Sequence, residues 1–372
     1  MLFYIISIVL TLTLFFTLSN LFQAARFSSR KFESNAKPKV SVLIPARNEE
    51  NNIESCLIGV LNQDYLNLEI IVLNDKSTDR TGEIIREVIS RKEYQGKNIK
   101  VQEGTELPSG WAGKCWACHN LSLSSTGEIL LFIDADVQLS PTAVSSMLYW
   151  KEKFNLNGMT VYPSQTIKTW SENIFVPIFA GWFVVSFLVL MRTLNSKNPE
   201  ISAVNGQFLM FERPAYEKIG GHESLKGSYV EDYDLGINTK RAGLRLLTFV
   251  DNGLVRCRMY TSFNECIKGY AKNYMSVSPL KNGPGFLFQN IAIFIVFLLP
   301  FILVFFNPIY LILIGIIFLQ RIIQAYISRM SIIKAVLLHP FQVLGIFWVG
   351  WASYKMHRNK AVVWKDRVIL DT

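Results

Sequence analysis

Residues 129–136 read Ile-Leu-Leu-Phe-Ile-Asp-Ala-Asp. The apolar run is short enough for a buried strand, and Asp134 and Asp136 stand where it ends. Working outward, residues 40–44 and 68–73 and a shorter run around Val101 have the same strand character. Between these runs lie helical patterns over residues 50–63, 81–90 and 114–124. Strands alternating with helices imply an α/β fold with a mostly parallel sheet. In such sheets ligands bind beyond the carboxyl ends of the strands. The polar clusters fall at those ends: Pro45, Arg47 and Glu49 after the first strand, Asn74 and Asp75 after the second, Asp134 and Asp136 after the fourth.

Two carboxylates two residues apart at a strand end form a hard-oxygen pair of the kind that holds Mg²⁺ or Mn²⁺ together with substrate phosphates. A solvated acidic turn has the same spacing. Asp75 is placed to hydrogen-bond a nucleobase or ribose, and Asp79 to cap the helix that follows. Gly110-Trp111-Ala112-Gly113-Lys114 precedes a helix. Its glycines allow close backbone approach, and Lys114 with the helix start suits a diphosphate. Glu231-Asp232 offers a carboxylate to take a proton from an acceptor hydroxyl, although an acidic pair also suits any helix start. Arg256, Arg258 and Tyr260 form a basic strip fit for phosphate, including lipid phosphate. Cys115-Trp116-Ala117-Cys118-His119 matches the c-type haem pattern C-x-x-C-H. Such attachment is expected outside the cytoplasm, and further ligands at zinc spacing are missing.

The whole chain is apolar for its length. Of 372 residues, 50% are hydrophobic and 18% charged, with mean hydropathy +0.24 and net charge +9. That excludes disorder and a small disulfide scaffold, and it points to anionic lipid and phosphorylated substrates over nucleic acid. Five cysteines at 56, 115, 118, 257 and 266 suit a reducing compartment. Residues 1–22 carry no charge, and Arg26, Arg30, Lys31, Lys37 and Lys39 follow. This order predicts an uncleaved anchor with the next domain cytoplasmic. Residues 282–320 are also uncharged, with Asn307-Pro308 as a turn, so a hairpin over 286–306 and 309–326 is expected. A third segment, 335–354, is broken by His339-Pro340, and a basic tail occupies 355–372. The expected organisation is an anchor (1–22), a cytoplasmic domain (38–275), a membrane region (286–354) and the tail, which the charge rule favours as cytoplasmic. The apolar stretch 174–191 is expected to lie at the interface or buried. A single crossing there would put Asp136 and Asp232 on opposite sides of the bilayer.

Taken in order, 42–49 (VLIPARNE), 74–79 (NDKSTD), 111–114 (WAGK), 134–136 (DAD), 206–221 (GQFLMFERPAYEKIGG), Glu231-Asp232 and Arg258-Met259-Tyr260 resemble the membrane-bound family-2 glycosyltransferases. Within that family the chain resembles the carotenoid (4,4'-diaponeurosporenoate) and hopanoid-associated groups, and Val363-Trp364-Lys365-Asp366-Arg367 resembles the tail of the carotenoid group. The resemblance implies a GT-A, Rossmann-like nucleotide-sugar-binding domain flanked by transmembrane helices in the cell membrane. It also implies a UDP-sugar donor and an inverting, Mg²⁺- or Mn²⁺-dependent transfer of a hexose, glucose first, to a lipid acceptor, a carotenoid among the candidates. Pro45, Arg47, Glu49, Asp75, Lys114, Asp134 and Arg258 would bind the donor, Asp136 and Asp134 the metal, and Asp232 with Glu231 would serve catalysis. Two departures stand out. Asn74-Asp75-Lys76-Ser77 replaces the usual Asp-Asp-Gly-Ser, and the Gln-x-x-Arg-Trp motif of processive members is reduced, which favours a single transfer. The alternative is a catalytically inactive membrane scaffold of the same fold.

Overall fold

The computed structural model describes residues 1–34, 37–199, 201–280, 282–359, 362–364 and 367–369. The chain divides into two compact units. One comprises residues 25–164 and 191–258, and the other residues 1–24, 165–190 and 259 onward. The sheet-bearing unit is therefore smaller than the expected 38–275 domain, because 165–190 and 259–275 belong to the helical unit.

The first unit is built on an eight-stranded sheet. In spatial order its strands are Arg26–Phe27, Leu246–Asp251, Gly158–Tyr162, Phe208–Glu212, Ile129–Ile133, Val40–Ala46, Leu68–Asn74 and Ile99–Glu103. All neighbours run parallel except Phe208–Glu212, which is antiparallel to both strands beside it. The central strands are buried on both faces and mostly apolar, as parallel strands flanked by helices require, and Ser41 Oγ donates to Glu69 Oε2 (2.7 Å) between two of them. Val40–Ala46 runs two residues past the expected end and includes Pro45. Its pairing with Ile129–Ile133 stops at Leu43, so the missing proline N–H lies beyond that ladder. Helices Ile53–Leu61, Thr81–Ile89, Gly113–Ser124 and Ala143–Phe154 connect the strands. Leu43, Ile71, Leu130, Phe132 and Leu209 of the sheet share one buried cluster with Cys118, Leu121 and Leu235 of the helices.

The second unit is helical. Leu2–Gln23 and Tyr310–Ile327 are the two helices, among the described residues, long and apolar enough to cross a membrane. The expected 286–306 helix is two pieces, Gly283–Phe297 and Leu299–Leu303, because Pro300 cannot donate into a continuous ladder. Pro340 likewise separates Ile332–Leu337 from His339–Arg358. The stretch 174–191 is no straight span. It comprises the end of helix Trp170–Pro177, a π turn Ile178–Trp182 and helix Phe183–Phe187, largely buried in this unit. Its freed backbone groups have protein partners. Asn20 Nδ2 donates to the carbonyls of Val185 (2.7 Å) and Leu188 (2.6 Å), and Asn20 Oδ1 accepts from Leu190 N (2.9 Å). Gln342 Nε2 donates to Asn173 O at 2.9 Å. In the tail, strands Val362–Trp364 and Arg367–Ile369 pair, while Lys365 and Asp366 lie outside the described residues.

Candidate active site

The site is assembled at the carboxyl ends of the first unit's strands. The loops after Val40–Ala46 and Leu68–Asn74 brace each other. Arg47 Nη1 donates to Asp75 O (2.7 Å), Asn48 N to Ser77 Oγ (3.1 Å), and Thr78 N to Asn48 Oδ1 (2.9 Å). Asn48 and Lys76 take positive φ, 51° and 52°, to make these exchanges. Asp79 does more than the expected cap. Its carboxylate accepts from Thr81 N (3.0 Å) and, across the loops, from Glu50 N (3.1 Å). Burial alone would raise its pKa, but the hydrogen bonds outweigh that and hold it low. The Glu49 carboxylate accepts from Asn52 Nδ2 at 2.9 Å, at the start of the next helix. Asp75 is buried, with Gly104 so close that a Cβ there would lie 2.9 Å from the Asp75 Cα.

Beside this frame lies a pocket lined by Pro45, Lys114, Phe132, Asp134, Gly206, His222, Glu231 and Asp232 together with Cys118, Ile133 and Leu209. Five of the residues expected to bind the donor or serve catalysis thus meet in it: Pro45, Lys114, Asp134, Glu231 and Asp232. Lys114 Nζ bridges Asp134 Oδ1 (2.7 Å) and Glu231 Oε1 (2.9 Å). Burial alone would lower the Lys114 pKa, but the Asp134 and Glu231 carboxylates more than offset it, so the ammonium stays charged. Asp232 Oδ2 accepts from Gly206 N (2.7 Å) and Oδ1 from Tyr233 N (2.8 Å). Burial, then the neighbouring Glu231 charge, push its carboxyl up to about 6. Such a carboxyl is a weak acid poised near neutrality, the property a general base needs.

Asp136 and Arg258 lie at neighbouring positions. Asp136 follows Asp134 past the strand end, and Arg258 follows strand Val255–Cys257, which pairs antiparallel with Val137–Leu139. The Cys56 thiol donates to Asp134 O at 3.8 Å, and Cys257 stands opposite Val137, the residue after Asp136, so a buried thiol flanks each member of the pair. Among the described residues no cluster of three or more potential metal ligands occurs. Two hard carboxylates that leave the remaining positions to substrate phosphates and water fit Mg²⁺ or Mn²⁺ and suit soft metals poorly.

Several site residues escaped the sequence reading of individual side chains. Gly206 and His222 border the 206–221 segment, which only the family resemblance marked. His222 is buried, and burial lowers its imidazole to about 3, leaving it neutral. Its backbone N–H donates to Tyr216 Oη (3.0 Å), and Tyr216 Oη and His222 Nδ1 share a second hydrogen bond at 2.7 Å. The C-x-x-C-H run is packed. Cys115 Sγ donates to the carbonyls of Leu225 and Ser228, Cys118 lines the pocket, and His119 lies against Trp111 and Trp116. Burial raises both thiols, which keeps them protonated.

Residues 41–220 match the family model described as glycosyl transferase family 2. Among curated relatives, the 4,4'-diaponeurosporenoate glycosyltransferase of Staphylococcus haemolyticus (strain JCSC1435) is 29% identical over 251 residues, 66% of this chain and 63% of the relative. The protein of that name from Staphylococcus aureus (strain USA300) is 28% identical over 63% of this chain and 60% of its own length. The chain thus spans about three fifths of the length of these relatives. In three dimensions it is similar to mannosyltransferase PcManGT from Pyrobaculum calidifontis, solved with GDP-Man and Mn²⁺. The TM-score is 0.55 at 19% identity, over 95% of this chain and 98% of that one.

Proposed function

Taking as premise that residues 41–220 are a glycosyl transferase family 2 domain, we propose that this chain is an inverting, membrane-bound hexosyltransferase. It moves glucose from a UDP-sugar to a lipid acceptor of carotenoid type. The observation that carries the reading is the Lys114 bridge, which gathers Asp134 and Glu231 in one pocket with Asp232. The names of the staphylococcal relatives support the carotenoid acceptor.

The uridine side of the donor lies over the braced loops at Pro45, Arg47, Glu49 and Asp75. Asp136 and Asp134 would hold a divalent cation, which when bound supplies Lewis-acid stabilisation of the departing diphosphate. Lys114 and Arg258 place fixed positive charge near the diphosphate, where it is most effective in a partly dehydrated site. Asp232 takes the proton of an acceptor hydroxyl as its oxygen attacks the anomeric carbon. The bond from that carbon to the diphosphate oxygen breaks on the opposite face, so the configuration inverts. An acceptor that is already a carboxylate has no proton to give, and Asp232 then only orients it. Glu231 keeps Lys114 in place. The catalytic unit lies at the cytoplasmic face of the cell membrane, with residues 1–22 and 286–354 as membrane segments.

The test supplies membranes containing the protein with labelled UDP-glucose or GDP-mannose and a total lipid extract. The reading expects label from UDP-glucose in a β-linked lipid glycoside. An α-linked product contradicts inversion, and label from GDP-mannose alone contradicts the donor.

A further inference from the structure

We propose that Cys257 and Gln207 are positioning residues for the Asp134/Asp136 pair. In this arrangement the Cys257 thiol, held by the Gln207 amide, fixes the Asp136 carboxylate, and the same 205–207 segment fixes Asp232. The inference rests on the reading of Asp136 as a metal-facing group.

The placement follows from the strands. Cys257 lies opposite Val137, the residue after Asp136, in the antiparallel pair. Buried Asp251 aims that strand by accepting from Leu254 N (2.8 Å) and Val255 N (2.9 Å). Cys257 and Gln207 are both buried, and Gln207 Nε2 lies 2.7 Å from Cys257 Sγ. Cys257 is also hydrogen-bonded to the Asp136 side chain. A carboxylate only accepts, so the thiol donates to Asp136 while its sulfur accepts from Gln207.

The Gln207 backbone extends the connection. Its N–H donates to Asn205 Oδ1 (2.8 Å), and its carbonyl faces Asp134 N at 3.4 Å. Asn205 is anchored on Thr160, whose Oγ1 accepts from Asn205 N (3.0 Å) and donates to Asn205 O (2.8 Å). Between them, Gly206 N donates to Asp232. One tripeptide therefore sets the relative placement of the carboxylate pair and the proposed base. Such outer partners orient metal-ligating carboxylates, and losing one costs about 10–100-fold in metal affinity.

The test uses the full chain in lipid nanodiscs, with UDP present and free Mn²⁺ read by electron paramagnetic resonance. Cys257→Ala and Gln207→Leu are expected to weaken Mn²⁺ binding about tenfold or more. Cys257→Ser, which keeps a donor, restores most of it. In metal-free protein, the Cys257 S–H stretch is isolated as the difference between wild type and Cys257→Ala. It is expected to shift to higher frequency in Asp136→Ala. Wild-type Mn²⁺ affinity in Cys257→Ala overturns the proposal. So does a Cys257→Ser protein as impaired as Cys257→Ala with the same fall in melting temperature, or an S–H band that Asp136→Ala leaves unmoved. If wild type itself binds no Mn²⁺, the metal reading of Asp136 falls and this role for Cys257 falls with it. The S–H band then still reports whether the contact exists.

Discussion

At the scale of single residues, Lys114 decides whether the site can exist at all. It is the cation between Asp134 and Glu231, with Asp232 in the same pocket. Without it the pocket would hold carboxylates that repel one another and the donor's diphosphate alike. Lys114→Met is expected to lower kcat/KM by about 10²–10³, the usual cost of one electrostatic group at a reacting centre. Lys114→Arg should rescue poorly, because a planar fork does not replace a compact ammonium between two carboxylates. Steady-state kinetics with UDP-glucose check both. Asp232 gives a pH signature. Its carboxyl is raised to about 6, and a base must be ionised, so turnover of a hydroxyl acceptor should fall as pH drops through about 6. With a carboxylate acceptor, Asp232 contributes no such acid limb. A pH–rate profile on an alcohol and an acid acceptor therefore separates the two chemistries. Much of this was legible in sequence, because Asp134, Lys114, Glu231 and Asp232 each stand at a strand end or helix start. What sequence could not give was the partner of each charge. Nothing in Gly110–Lys114 says that its lysine bonds Glu231, more than a hundred residues on.

At the scale of elements, the strand ends came from composition and the irregular pieces did not. Ile129–Ile133 was readable because five apolar residues bounded by charge allow little else. Phe208–Glu212 was not read as a strand, since the family resemblance marked only the segment 206–221 and an antiparallel direction between parallel neighbours leaves no mark in hydropathy. The stretch 174–191 has the composition of a spanning helix, yet Pro177 precedes a π turn and the backbone breaks again after Phe187. A break inside an apolar environment must have its carbonyls and N–H groups satisfied by protein, and Asn20 serves that purpose with three hydrogen bonds. Asn20→Leu should leave those groups unpaired at roughly 1–3 kcal/mol each. Hydrogen exchange is expected to rise locally over residues 185–190, with the strands of the first unit unchanged.

At the scale of the whole molecule, residues 165–190 leave the sheet-bearing unit and the chain returns to it at Met191. Asp134 and Glu231, on either side of this excursion, are held within hydrogen-bonding distance of one lysine. That supports a segment that does not cross the bilayer once. Single cysteines at exposed Lys153 and Lys197, in a background without the native thiols, should both react with a membrane-impermeant reagent from the cytoplasmic side only. Labelling from opposite sides would contradict the topology. The account as a whole turns on one claim, that the Asp134–Lys114–Glu231–Asp232 pocket with Asp136 transfers sugar to lipid. The most direct measurement incubates membranes bearing wild type, Asp136→Ala or Asp232→Asn with radiolabelled UDP-glucose, Mn²⁺ and a total lipid extract, then counts the lipid phase. The account predicts label with wild type and a loss of about 10²-fold or more with either variant. Equal labelling by all three, or none by folded wild type across a panel of sugar nucleotides, would contradict it, and the latter would favour a non-catalytic scaffold.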